Sequence, residues 1–541
     1  MTSNVEVILG PPGTGKTTEL LELVAGELQR GTRPEEIGFA SFTRAARTEF
    51  LDRVGRRFAL GIDDFPWVRT VHGMANRLLG NPGQVLDGWK WKEFGAAHGY
   101  SLSATSGTRF DDGFSGALPR QTNDDLLRAA HEWGRCRALN LEQTLSRVPF
   151  TVNAADFRRF VSHYQQFKRD SKLLDFSDLI EMALKQKLAP PVRVAFVDEA
   201  QDLSPLQIRA ILAWFPQCRK IYVAGDDDQA IYGFQGADPE WLLSLSKAHP
   251  TRILGESRRI PASVHRLAQL VISRNLRRVA KEYRPRAVEG VADFRSFDAA
   301  LKSVDGTVET FVLVRNRWFM REVAEALQAR GVLYVSEGSG APDPLSPQAL
   351  RAVRAADGIV AGRPVDADEL CDLLRFVPTS GLGLLPRGAK AAVDNLRGPV
   401  RPESLRKLLE GGSLIDTAKT KGALSLLVNM EASSRRYLEK VVQRHGTFLV
   451  PKVTLTTVHQ SKGREADLVV LVPDMTKSTY AESLDQRRGG AEAETRVAYV
   501  GATRARDRLI ITTPRSERAY TFPRVRAVTP VTSPTSQALA A

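Results

Sequence analysis

Residues Gly10-Pro11-Pro12-Gly13-Thr14-Gly15-Lys16-Thr17 combine closely spaced glycines, one lysine and a hydroxyl, a set that can cradle and polarise phosphate. Glycines let successive backbone N–H groups close on phosphate oxygens, Lys16 supplies a point charge to the β/γ oxygens, and Thr17 offers a hydroxyl to Mg²⁺, with Thr18 beside it. Such a loop must sit between a buried strand and a helix. Val5 to Leu9 is an apolar, β-branched run, and Leu21, Val24, Ala25 and Leu28 recur at helical spacing, so both elements are expected. The helix N-terminus adds its positive dipole end. A glycine turn that merely joined strand to helix would not need Lys-Thr at its end, so the sequence predicts an ATP site within its first twenty residues.

A second set of chemical groups is Asp198-Glu199-Ala200-Gln201-Asp202, preceded by the apolar run 192–197. That run reads as a strand and puts the carboxylates at its carboxyl end, the edge where ligands bind in open parallel sheets. Asp198 is then placed to hold Mg²⁺, and Glu199 to orient or deprotonate the attacking water. A third apolar run, 221–224, leads into Gly225-Asp226-Asp227-Asp228-Gln229-Ala230-Ile231-Tyr232-Gly233-Phe234-Gln235-Gly236-Ala237.

In this order the three segments resemble the UvrD/Rep/PcrA family of superfamily 1 DNA helicases. The likeness extends to both ends of the chain. Ser41-Phe42-Thr43-Arg44-Ala45-Ala46 resembles that family's motif Ia, Thr70-Val71-His72 its motif Ib, and Leu173-Leu174-Asp175-Phe176-Ser177-Asp178-Leu179 the segment before its acidic motif. Ser257-Arg258-Arg259 stands where motif IV belongs, Thr457-Val458-His459-Gln460-Ser461-Lys462-Gly463-Arg464-Glu465 resembles motif V, and Ala498-Tyr499-Val500-Gly501-Ala502-Thr503-Arg504-Ala505 resembles motif VI. Residues 78–170 and 338–451 match only weakly.

The resemblance implies an α/β fold with two RecA-like P-loop NTPase cores of parallel sheets flanked by helices. The first would comprise 1–77 and 171–254, the second 255–337 and 452–520, with mainly helical insertions at 78–170 and 338–451. It implies ATP hydrolysis with Mg²⁺, coupled to 3′→5′ movement on single-stranded DNA and at single-strand/duplex junctions. Lys16, Glu199, Gln229, Arg259 and Arg504 take the catalytic roles, with Gln229 sensing the γ-phosphate and the two arginines reaching it from the second core. Arg258 and Glu465 join the phosphate loop in holding nucleotide. The implied DNA contacts are Phe42, Thr43, Thr70, His72, Tyr232, Phe234, Thr457 and His459. Stacking on aromatic faces suits a sequence-tolerant translocase, since every base has a π-face. Any one of these aromatics taken alone reads as a core side chain; motif context reverses that for Tyr232 and Phe234 only.

The chain also departs from the family. Only nine residues precede Gly10, so the adenine-reading glutamine segment is expected to be missing, and Arg258 replaces the aromatic beside the motif IV arginine. Motif III has Phe234-Gln235 in place of tryptophan-arginine. Within 338–451, the turn around Gly381-Leu382-Gly383 resembles a helix-hairpin-helix and reads equally as a plain loop; it marks this insertion for duplex contact.

Composition agrees without deciding. A net charge of +14 over 541 residues suits a polyanionic partner and equally a solvated basic surface. The cysteines Cys136, Cys218 and Cys371 lie far apart, which points away from a metal site or disulfide framework and towards a reducing compartment. With no membrane-length apolar run and no signal-like start, a cytoplasmic location is expected, with no membrane partner. Ser101 to Asn123 and Ser336 to Pro347 read as polar or glycine-rich loops, and 521–541, rich in Pro, Thr and Ser, as a disordered tail. The chain is expected to act as a monomer, with a dimer as the alternative, and to meet replication or repair proteins.

Three other readings are disfavoured. AAA+ ATPases share the phosphate loop but lack the Gly-Asp-Asp-Asp-Gln-Ala-Ile-Tyr element. A 5′→3′ superfamily 1 helicase would differ after the motif III glutamine. A DNA-binding regulator with an inactive ATPase would not need all six of Lys16, Asp198, Glu199, Gln229, Arg259 and Arg504. A DNA-stimulated ATPase that remodels protein–DNA complexes without processive unwinding stays open as the alternative.

Overall fold

Two six-stranded sheets carry the motifs, and every strand pairing within each of them is parallel. The computed structural model describes residues 4–41, 44–86, 88–102, 122–338, 345–447, 449–485 and 489–524. Parallel strands covered on both faces read as continuous apolar runs, which is why Val5–Leu9, Ile37–Ser41, Val194–Val197 and Thr310–Val314 stand out in the sequence.

The first sheet has the order Val68–Thr70, Ile37–Ser41, Val194–Val197, Lys220–Gly225, Val5–Leu9, Thr251–Ile253. Its register pairs Leu9 with Gly225, Ala40 with Val197 and Ser41 with Thr70, so these strands end at one edge. The phosphate loop, the acidic motif and the motif III loop therefore emerge side by side. The acidic strand begins two residues later than its apolar run, because the Val192 amide turns back onto the Pro190 carbonyl at 2.8 Å.

The second sheet runs Val291–Arg295, Ala505–Thr512, Ala466–Val472, Thr310–Val314, Val453–Thr457, Tyr334–Ser336. Val314 lies opposite both Thr457 and Val472, and Thr310 opposite both Val453 and Leu468. Residues 458–465 thus descend from the carboxyl edge of this sheet to its amino edge. That short stretch joins the two working ends of the core.

The helical segments outside the sheets differ in how they are held. Helices Asn123–Cys136 and Ala154–Asp170 pack an aromatic cluster of their own, with Trp91, Phe94, Trp133, Phe157, Phe160 and Tyr164 buried together. Helices Pro347–Ala361, Ala367–Phe376 and Ala432–His445 instead continue one apolar core with Val312, Val314 and Leu455 of the second sheet. Gly381-Leu382-Gly383 lies in the turn between helices Ala367–Phe376 and Ala389–Asp394, with both glycines at positive φ.

The segment from 521, expected to be disordered, is ordered over its first residues. Phe522 is buried in the second core's cluster and the Thr521 carbonyl accepts from Arg274 at 2.7 Å, an apolar anchor that a Pro/Thr/Ser composition conceals. Residues 525–541 lie outside the described residues, as do 103–121 and 339–344 of the two expected loops. Among the described residues no helix is long and apolar enough to cross a membrane.

Candidate functional site

Gly15, at φ +85, opens the helix Lys16–Gln29 without a side-chain cap, leaving its first amides for a ligand. Lys16 bends back so that Nζ donates to the Gly10 carbonyl at 3.0 Å and stands 3.9 Å from Glu199. Thr17 is half-buried on the first helical turn, and the Thr18 hydroxyl accepts from Arg53 at 3.2 Å. Gly13 shows why glycine is required there: at φ +75, an added Cβ would fall 2.4 Å from Arg259 Cβ and 2.7 Å from Ser257 Oγ. The second core therefore lies directly on the phosphate loop. Ser257 donates to the Pro12 carbonyl at 2.8 Å, and the Arg258 amide to the Gly13 carbonyl at 2.9 Å, while the Arg258 side chain is exposed.

Two arginines converge behind this contact. Arg259 pairs with Glu465, whose carboxylate is also 3.9 Å from Arg506. Arg504 is 1% exposed and donates to Gln229 Oε1 at 3.1 Å, to the Val500 carbonyl at 3.0 Å and to the Arg464 carbonyl at 3.2 Å. Burial, and then the like charge of Arg259, push its guanidinium down to about 9, so it remains a cation at neutral pH.

The carboxylates stand opposite. Asp198 is buried at the end of its strand and accepts from the Glu199 amide at 2.9 Å. Glu199 follows in a left-handed conformation, φ +50, that a non-glycine residue adopts at a cost. Burial raises its carboxyl, but Lys16, Lys462, the Gln201 amide and Arg504 more than reverse this and hold it at about 2. It is ionised wherever the protein is folded at ordinary pH.

Three residues with no role assigned from sequence join the site. Lys462, within motif V, pairs with Asp202, donates to the Gln229 carbonyl at 2.6 Å and lies 4.9 Å from the centre of the Tyr232 ring. Gln201 accepts from the Asp226 amide at 2.9 Å and donates to Glu199, tying the acidic motif to motif III. Burial raises the Asp202 carboxyl to about 6 against the pull of Lys462. Lys462 is the only lysine in its motif, the one signal that could have singled it out.

From Gln229 the chain passes in three residues to an aromatic face. Tyr232 donates to the His459 carbonyl at 3.1 Å, and Phe234 meets the His459 ring edge-on at 5.3 Å. Phe234 is 37% exposed and borders an open cleft of about 620 Å³, walled by Trp133 and Arg137 on one side and by Arg315 on the other. Burial, Arg315 and Lys462 drive the His459 imidazole well below its usual range, so the ring is neutral. The Thr457 hydroxyl is buried against Gln460. Thr70 and His72 are buried too: the Thr70 hydroxyl caps helix Val71–Leu78 by accepting from the Gly73 amide at 3.1 Å, and His72 packs edge-on to Phe176. Their side chains support the motif Ib backbone and do not face solvent. Phe42 and Thr43 lie outside the described residues.

A family model described as the UvrD/REP helicase N-terminal domain matches residues 1–250, and one described as the UvrD-like helicase C-terminal domain matches 397–516. The chain is 27% identical to the ATP-dependent DNA helicase UvrD2 of Mycobacterium tuberculosis (strain ATCC 25618 / H37Rv), over 93% of this chain and 76% of that protein. It is 24% identical to DNA helicase II of Salmonella typhimurium, over 96% of this chain and 83% of that one. With the ATP-dependent DNA helicase PcrA of Bacillus subtilis the identity is 25%, over 53% of this chain and 40% of the relative. The phosphate loop, acidic motif and Gln229 fall within the first matched segment and Glu465 and Arg504 within the second, and the chain belongs to the UvrD/REP helicase family as an ATP-hydrolysing DNA helicase.

Proposed function

We propose that the chain translocates 3′→5′ along single-stranded DNA and unwinds at single-strand/duplex junctions, each hydrolysis of ATP opening and closing the cleft between two RecA-like cores, 1–77 with 171–254 and 255–337 with 452–520. One observation carries this reading: only Ala230 and Ile231 separate Gln229, bonded to Arg504, from Tyr232, bonded to the His459 carbonyl. A change in the cleft therefore reaches the aromatic face with almost no slack. The direction rests on motif III continuing with Tyr232-Gly233-Phe234 after its glutamine, as in the family resembled.

The phosphate loop, Gly10 to Thr17, takes the triphosphate on its amides and Lys16, with Arg258, Glu465 and Thr18 at the rim. Glu199, held anionic, orients the attacking water and takes its proton. Arg259 and Arg504 neutralise the charge that develops on the γ-phosphoryl group, and Gln229 reports its presence. The Thr17 hydroxyl and the buried Asp198 carboxylate are hard oxygen donors at one sheet edge, a set that suits Mg²⁺. When bound, Mg²⁺ supplies charge neutralisation at the phosphates. Phe234, Tyr232 and His459 form the stacking face, with Thr457 beneath it; Thr70 and His72 hold the backbone that faces the strand, and Phe42 and Thr43 are further strand contacts by the family resemblance alone. The insertion 338–451 meets the duplex. A monomer working in the cytoplasm with repair or replication proteins fits this reading.

Strand displacement on duplexes with a 3′ or a 5′ single-stranded tail tests it. Unwinding of the 3′-tailed substrate alone, with ATP and Mg²⁺, is expected. Unwinding of the 5′-tailed substrate alone overturns the direction. DNA-stimulated ATP hydrolysis without unwinding of either would turn the reading to a remodelling ATPase.

A further inference from the structure

Asp226, Asp227 and Asp228, three adjacent carboxylates immediately before Gln229, are each 1% exposed or less. Such a row is unfavourable in a protein interior unless cations face it. Here the cations come from the other core, on the loop between helix Ala262–Ile272 and strand Arg284–Arg286. Lys281, 4% exposed, places Nζ 3.2 Å from Asp226, 2.5 Å from Asp227 and 2.9 Å from Asp228. Arg278 grips Asp228 with two bonds of 2.8 and 2.6 Å, and the Val279 amide donates to Asp227 at 3.0 Å. The Val279 side chain packs against the first core's apolar cluster.

The same loop is tied to the helix Gly490–Ala502. Asn275 donates to the Glu492 carbonyl at 3.0 Å, and Arg496 donates to the carbonyls of Arg277 at 2.9 Å and Asp227 at 3.1 Å. Asp226 is where this strap meets the chemistry. One of its oxygens faces Lys281; the other accepts from the Gln229 side-chain amide at 2.7 Å, and the Gln229 oxygen accepts from Arg504. A carboxamide has a donor end and an acceptor end. With its donor end on Asp226, Gln229 presents oxygen to the guanidinium; flipped, it would set donor against donor.

We propose that Lys281, seconded by Arg278, is a positioning residue for ATP hydrolysis: through Asp226 it fixes which end of the Gln229 amide meets Arg504, and it does so only while the two cores are apposed. Lys281 is enclosed among the three aspartates, 4% exposed, and acts through Asp226. Without Lys281 the three carboxylates repel one another, the Asp226 oxygen that faced the lysine keeps only the Asp228 amide at 3.2 Å, and the hold of Asp226 on the Gln229 amide loosens, so that Gln229 loses its defined polarity. Separation of the cores would withdraw the strap from the aspartates, so that opening the cleft also unsets the sensor.

The inference rests on the function proposed above, and its test separates the two. Steady-state ATP hydrolysis of the full chain is measured with a saturating oligo-dT strand for the parental protein, Lys281→Met, Arg278→Met, Arg278→Lys and the charge-compensated double variant Lys281→Met/Asp227→Asn, with thermal melting alongside. Lys281→Met is expected to lower DNA-stimulated kcat about tenfold or more while KM for ATP stays within about twofold, the signature of a lost transition-state arrangement. The double variant should regain part of that loss, and Arg278→Lys should retain more kcat than Arg278→Met. Should Lys281→Met fail to fold, the Arg278 pair gives the same reading. Parental kcat in folded Lys281→Met, or equal fractional losses in Arg278→Lys and Arg278→Met, overturns the inference alone. A parental protein whose hydrolysis does not respond to the strand overturns the proposed function and the inference with it.

Discussion

The nucleotide cleft and the aromatic groove lie three residues apart along the motif III loop and are built on opposite rules. In the cleft, functional groups are locked to one another: Lys16 to the Gly10 carbonyl, Arg504 to Gln229, Lys462 to Asp202, Arg259 to Glu465. In the groove, Phe234 stands partly in solvent, touching His459 at its edge, with an open cleft of about 620 Å³ beside it. Charge stabilisation and hydrogen bonding decay quickly with distance and angle, so the groups that neutralise a transferring phosphoryl must be fixed before it arrives. Stacking tolerates displacement and any base, so a translocating strand needs a face that can release it. Under the proposed function, precision is concentrated where bonds are broken and withheld where the strand would slide.

Substitutions can break that contrast, and the largest effect is expected in the cleft. Arg504→Ala should lower DNA-stimulated turnover by ~10³-fold or more, the scale of a lost arginine finger. ATP affinity should move far less; steady-state kinetics with direct nucleotide binding checks both. A variant within a few-fold of parental turnover would mean that the locked geometry is scaffolding.

An intermediate effect is expected from pH. Glu199, at about 2, stays ionised in any neutral or mildly acidic buffer, whereas Asp202 titrates at about 6 and then leaves Lys462 without its counter-charge. Turnover should therefore fall below about pH 6 with a one-proton slope, and Asp202→Asn should flatten that limb. The stability effect has the other sign. A carboxyl raised from 3.8 to about 6 contributes stability in full below pH 3.8 and loses it as pH rises through 6, while the Glu199 contribution is present above 4.5 and is lost as pH falls through 2. An acid limb that persists unchanged in Asp202→Asn would assign it elsewhere.

The smallest effect is expected in the groove. Phe234→Ala should weaken single-strand binding by about 1–3 kcal/mol, with hydrolysis at saturating DNA retained and unwinding reduced further. Because Phe234 carries no charge and its His459 partner is held neutral, the slope of log affinity against log salt should not change. A shallower slope would show that the groove binds by charge as the cleft does.

The chemistry at the strand ends was legible because parallel sheets write themselves as apolar runs, and the residues after each run must share an edge. Lys16, Asp198, Glu199 and Gln229 follow from that rule with motif spacing. Lys462 and Lys281 did not, because their partners lie 260 and 54 positions away and no local pattern encodes such a pairing. Thr70 and His72 illustrate a different limit: a short motif marks a place on the sheet but not which way each side chain turns. The continuous core shared by helix Pro347–Ala361 and the second sheet was hidden for a related reason, since an apolar helical stripe does not state what it packs against.

The stretch 458–465 is cross-bonded as it descends the second sheet, with the Ser461 amide on the Thr457 carbonyl at 3.1 Å, its hydroxyl on the Val458 carbonyl at 2.8 Å and the Arg464 amide on the Ser461 carbonyl at 3.0 Å. It behaves as a connecting rod of fixed length, with Glu465 at the piston end and His459 at the crank. A rod that neither stretches nor bends passes on a displacement undiminished, so under the proposed function the stroke at the aromatic face would be set by how far the cores part and not by the flexibility of the loop between them. Lengthening that loop by even one residue would introduce backlash, and the translocase proposed above would then spend ATP without advancing by the same distance each time.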